Sequence, residues 1–155
     1  MPEWRIAMID LFVSGAVLVG LPKSVGQIYG YLYSAEKAAS MDQIISELGI
    51  SKGSASQGLK FLRQLGAVKL HFIVGERRDH YVAEIRSKKL IGGFIREKLT
   101  PALQDGHERI EFIRESLSED AQSGEAFPQA QVAKLETWHK KLKLALPLLQ
   151  KILGE

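Results

Sequence analysis

The order of apolar and polar positions divides the chain into helices, one short hairpin, and further helices. From Trp4 to Val19 apolar residues surround the whole helical circumference, the pattern of a helix covered on several sides. Gly20-Leu21-Pro22 breaks it. Pro22 suits the first turn of a second helix reaching about Ser34, where Val25, Ile28, Tyr29, Leu32 and Tyr33 keep helical spacing. Ser40 and Gln43 form an S-x-x-Q capping box for a third helix, whose Ile44, Ile45 and Leu48 face inward and which Gly49 closes. Ser51 caps a fourth, Lys52 to Leu65, with Ala55, Leu59, Leu62 and Leu65 as its buried stripe and Gly66 as its stop. Val68, Leu70, Phe72 and Val74 then alternate with Lys69, His71 and Ile73. This predicts a strand, a Gly75-Glu76-Arg77-Arg78 turn, and a return strand over Asp79 to Ile85.

Beyond the hairpin the pattern is helical again. Leu90, Phe94, Ile95, Leu99, Leu103, Ile110, Ile113 and Leu117 lie on one long helical stretch, which Thr100-Pro101 should kink or restart with Thr100 as cap. Ser118 to Phe127 reads as a loop, and Pro128 opens a last helix. There Leu135, Trp138, Leu142, Ala145, Leu149 and Ile152 repeat at three- and four-residue steps, the seam of a helix–helix contact. Pro147 should weaken that helix near its end.

Composition changes the picture in three places. The 155 residues, 45% apolar and 25% charged, are those of a folded chain, and the absence of cysteine excludes disulfides and thiolate metal sites. The run Ile6–Leu21 is apolar but shorter than the ~20 residues that cross a bilayer, and it contains Asp10, so a buried helix is expected and no membrane partner. The net charge is only +3, yet nine Lys/Arg face three acids between Ser51 and Lys89. A basic block of that kind points to a polyanionic partner, nucleic acid first. A merely solvated charged face is the plainer alternative.

Ser40 to Glu84 sharpens the choice. A short capped helix, a tight turn at Gly49, a plug at Ile50 and a second helix with small Ala55 at the crossing satisfy a helix-turn-helix. The outer face of the second helix carries Lys52, Gly53, Ser54, Ser56, Gln57 and Lys60. Gln57 suits an adenine edge, the serines suit bases or phosphates, and the lysines suit phosphates. Gly53 lets the backbone come close, and the amides at the helix start can hold a phosphate. Arg77 and Arg78 at a hairpin tip suit a cationic wing in or along the minor groove. Lys23, opening the second helix, completes the DNA-facing set.

These stretches resemble a known family. L-P-K-S-V-G-Q-I-Y-G-Y-L-Y, then S-M-D-Q-I-I-S-E-L-G-I-S-K-G-S-A-S-Q-G-L-K-F-L-R-Q-L-G-A-V and G-E-R-R-D-H-Y-V-A-E, are similar to the GbsR branch of the MarR-type winged-helix regulators. The resemblance covers about Leu21 to Glu84. It implies a homodimeric bacterial transcription factor in which Ser51, Lys52, Gly53, Ser54, Ser56, Gln57 and Lys60 face the groove and Arg77 and Arg78 form the wing tip. It also implies that Asp79 orients a wing arginine and that the terminal helices form the dimer interface. Ile45 departs from the family pattern, which usually has alanine there.

The fold expected is therefore mainly α with a small β-hairpin. An N-terminal dimerisation helix over 1–20 would be followed by a winged helix-turn-helix domain over 21–86 and a C-terminal helical dimerisation region over 87–155. The function expected is that of a cytoplasmic, sequence-specific regulator, a repressor, on a pseudo-palindromic operator. The rival is a winged helix that binds an acidic protein surface. Best-known members of the branch respond to choline or glycine betaine. Trp4, Phe12, Tyr29, Tyr31, Tyr33 and Trp138 are candidates for an aromatic cage, with core and dimer packing as the alternative. No motif assigns an effector, and no cofactor is expected.

Catalysis is not expected either. His107-Glu108-Arg109-Ile110-Glu111 lacks the second histidine of a zincin, and His71, His80 and His139 share no metal-ligand spacing. There is no G-x-S-x-G elbow and no phosphate-binding P-loop.

Overall fold

The computed structural model describes residues 1–119 and 126–153. They fall into two units, residues 1–93 and 94–155.

In the first unit, α1 (Glu3–Leu18) packs along α2 (Lys23–Tyr33). Two glycines on one face of α2 let them approach. A Cβ on Gly26 would lie 2.6 Å from the Val13 Cα, and one on Gly30 would lie 2.8 Å from the Ile9 Cα. Only Ile9 and Ala16 of α1 are buried. Trp4, Ile6, Leu11, Val17, Leu18 and Val19 are exposed, so one chain covers α1 on one side and not on several.

Then come β1 (Ala39–Ser40), α3 (Met41–Leu48), α4 (Lys52–Gln64), β2 (Val68–His71), β3 (His80–Ala83) and α5 (Ser87–Phe94). The capping box is present: the Ser40 amide donates to Gln43 Oε1 at 2.8 Å, and the Gln43 amide donates to Ser40 Oγ at 3.3 Å. Gly49 and Gly66 have φ of +62° and +72°, the left-handed geometry expected of them. Ile28 and Ile44 are fully buried at the centre of the core, with Leu59, Leu62 and Tyr81 around them.

The sheet is antiparallel in the order β1-β3-β2. The expected hairpin has gained a third strand, Ala39–Ser40, paired with Tyr81 and His80. Its first strand is shorter than the alternation suggests. Pairing ends at the His71–His80 match, and Phe72 and Val74 are 83% and 88% exposed. Alternation alone does not bury a residue that has no layer beneath it.

In the second unit Ile95–Leu99 is a π-helical turn leading into α6 (Thr100–Glu119), which packs against α7 (Ala126–Leu153). Thr100 is helical, at φ −62° and ψ −48°, and does not restart the helix as a cap. Its amide bonds the Ile95 carbonyl five residues back, and this widened turn accommodates Pro101, which has no N–H to offer. Of the expected loop, residues 118–119 belong to α6 and 126–127 to α7, while 120–125 lie outside the described residues. Helix α7 runs through Pro147 to Leu153. Among its seam residues Leu135, Trp138, Leu142, Leu149 and Ile152 are exposed. Among the described residues, no helix is long and apolar enough to cross a membrane.

Candidate nucleic-acid interface

The helix-turn-helix is α3, the left-handed Gly49, and α4. Ser51 caps α4: the Ser54 amide donates to Ser51 Oγ at 3.1 Å, and the two hydroxyls are 3.0 Å apart. The amides of Lys52 and Gly53 in the same first turn have no carbonyl one turn back to bond, so they stay available to an anion. Ala55 is fully buried where α4 crosses its support, and Gly58 brings α4 onto Ile28 of α2. The opposite face presents Lys52, Gly53, Ser56, Gln57 and Lys60, all exposed, with Ser54 half-buried. That segregation of buried and exposed positions is what lets one helix be held and still reach a partner.

The wing stands beside this face. Between α4 and β2 runs an open groove of about 710 Å³, lined by Ser56, Lys60, Arg63 and Gln64 on one side and Lys69 and Leu70 on the other. Arg63 was not in the sequence-derived set. It falls three residues after Lys60 on the same helical face, and that spacing was the available signal.

The two wing arginines differ. Arg77 is exposed. Arg78 donates to Asp42 Oδ2 at 3.1 Å, in an exposed ion pair joining the wing to the first turn of α3. The partner of Arg78 among the described residues is thus Asp42. Lys23 is exposed at the start of α2 and has no hydrogen bond or ion pair with the α4 face among the described residues.

A buried carboxylate at the base of the wing escaped the sequence reading. Glu84 is 3% exposed. Its carboxylate meets Lys69 of β2, accepts from Arg86 Nη2 at 2.8 Å and Nε at 2.9 Å, and lies 4.0 Å from Lys89 Nζ. Hydrogen bonds from Arg86 and then Lys69 hold it far below the usual carboxylate range, against its own desolvation. Three cations of the basic block are therefore already engaged at this one carboxylate. The register of the sheet, invisible in the sequence, is what places Lys69 against Glu84.

Comparison with known proteins follows the same outline. No family model matches the chain. The HTH-type transcriptional repressor GbsR of Bacillus subtilis (strain 168) is 38% identical over 80 residues. Over those 80 residues the chain is similar to GbsR. That match takes in 52% of this chain and 44% of the repressor, so the chain spans less than half the length of its curated relative. A crystal structure of a transcriptional regulator matches 99% of this chain and 97% of its own, with a TM-score of 0.63 at 16% identity. At that identity the likeness is one of fold, and the fold is the winged helix with flanking helices.

Most of the aromatic candidates are packed. Phe12 meets Tyr29 edge-on at 4.9 Å and Tyr33 at 5.0 Å, between α1 and α2. The Tyr31 ring is already covered by the Arg5 guanidinium, 4.5 Å from its centroid. Burial, with Tyr33 and Glu84 nearby, pushes the Tyr29 hydroxyl up to about 12. Trp4 and Trp138 are exposed.

Proposed function

We propose that this chain is a non-enzymatic transcriptional regulator, a repressor, that binds double-stranded DNA with α4 in the major groove. The observation that carries this reading is the capped, half-buried α4 with Lys52, Ser56, Gln57 and Lys60 on its open face beside a cationic wing. The similarity over 80 residues to a protein named as a repressor supports it. Gln57 reads a base edge. Ser51, Gly53 and Ser54 seat the helix start on a phosphate, and Lys23, Lys52 and Lys60 contact the backbone. Arg77 enters the minor groove, and Arg78 anchors the wing tip.

The protein acts in the cytoplasm as a homodimer. The exposed apolar faces of α1 and of α7 are the surfaces a second copy would cover, and their extent supports this assignment of 1–20 and 87–155 to dimerisation. A two-fold pair of α4 helices calls for an imperfect palindrome with half-sites about one turn (~34–36 Å) apart. A small-molecule effector that prefers one spacing of the two heads would set occupancy.

Titration against genomic fragments at several salt concentrations tests the proposal. A preference among fragments, steepening as salt falls, is the expected result, because phosphate contacts release counterions. Uniformly weak binding would instead favour the protein-interaction module.

A further inference from the structure

The cavity between α6 and α7 belongs to no part of the DNA-binding reading. It has a volume of about 310 Å³, at the small end of ligand sites. Two backbone irregularities border it. On one wall Ile95 and Thr100 bracket the π-helical turn, and widened turns of this kind recur at functional sites. On the other are Lys143 and Pro147, and Pro147 has no N–H to give the Lys143 carbonyl one turn earlier.

Cationic and neutral polar groups share the lining with apolar ones. His107 and His139 stack with centroids 5.6 Å apart. His139 Nε2 lies 2.6 Å from the Leu103 carbonyl, an acceptor only, so that nitrogen is the donor. Lys143 also lines the cavity, and among the described residues it has no ion-pair partner. Among the described residues no carboxylate lines the cavity. Two acids engage its lining from outside: Glu108 Oε1 accepts from Gln104 Nε2 at 3.0 Å, and Glu111 Oε1 is 3.6 Å from His107 Nε2. Leu103, Leu146 and Ile95 supply the apolar wall.

We propose that this cavity binds a small organic anion, a carboxylate head on a short apolar body. Lys143 receives the head beside the stacked imidazoles, and Leu103 and Leu146 cover the body. Such a ligand would touch α6 and α7 together.

The test uses matched six-carbon probes on the full chain, read by imidazole nitrogen–proton correlation spectra. Hexanoate should shift His107 and His139 saturably, while His71 and His80, on the wing, stay in place. Lys143→Gln should weaken hexanoate about tenfold, as expected for one charge-assisted hydrogen bond. Its unchanged far-UV circular dichroism would show that the helices persist. Hexylammonium should not shift the pair. The proposal is overturned if hexanoate produces no saturable shift at His107 and His139. Equal binding of hexylammonium, or hexanoate affinity untouched by Lys143→Gln, would overturn it as well. None of these outcomes depends on whether the protein binds DNA.

Discussion

The Tyr29 hydroxyl donates a 2.6 Å hydrogen bond to the backbone carbonyl of Glu84, tying α2 to the end of the wing. The Glu84 amide in turn bonds the Ala67 carbonyl at 2.8 Å, and its carboxylate gathers Lys69, Arg86 and Lys89. One residue thus connects α2, the wing and the start of α5.

Acid should loosen this junction. The Glu84 carboxyl is held below its ordinary value of 4.5, chiefly by Arg86 and Lys69. A depressed value in the folded state means the ionised form stabilises the fold above about pH 4.5, and that contribution fades as pH falls below it. Glu84→Gln should lower the urea midpoint at neutral pH and flatten its decline toward about pH 3. An acid limb as steep as that of the wild type would show that other carboxylates govern it.

The glycines of α2 and α4 predict opposite signs. Gly26→Ala places a methyl against the α1 backbone, where the Val13 Cα would be only 2.6 Å away, and should cost about 1–3 kcal/mol in urea unfolding. Gly53→Ala meets nothing nearer than 4.0 Å and should gain roughly 0.5 kcal/mol through helix propensity. The same methyl faces the DNA in the proposed pose, so Gly53→Ala should bind more weakly while folding better.

Arg77 and Asp42 separate anchoring from wing position. Arg77→Ala should weaken binding to all sequences alike and reduce the salt slope by about one. Asp42→Ala removes only an exposed pair and should change stability by less than about 1 kcal/mol. If Asp42 aims the wing, the same change should alter wing-proximal protection in a footprint and leave protection by α4 intact. An unchanged footprint would end that assignment.

Leu142→Glu tests the second unit. Leu142 is 59% exposed on the α7 seam. Sedimentation should move from dimer to monomer while the far-UV spectrum stays the same. A persistent dimer would remove this seam from the interface.

What the sequence revealed was local. The Ser40–Gln43 box, the Ser51 cap and the turns at Gly49 and Gly66 are each written within a few residues, and each is present. What it hid depends on partners far along the chain. Ala39–Ser40 is too short to read as a strand until Tyr81 pairs with it. Gly26 and Gly30 look like weak points in a helix until α1 lies on them. Phe72 and Val74 alternate correctly, yet no layer covers them. In the candidate interface the α4 face followed from helical periodicity. The Arg78–Asp42 and Lys69–Glu84 pairs did not, because sheet register and wing path decide them.

The central claim is that the open face of α4 reads DNA sequence, with Gln57 at a base edge. The most direct test compares wild type and Gln57→Ala on a selected operator and on all its single-base variants. The account predicts that Gln57→Ala binds the operator more weakly and no longer discriminates at one base pair per half-site, a loss of about 1–3 kcal/mol there, with other positions unchanged. A uniform loss across every variant, or no loss at all, would contradict it.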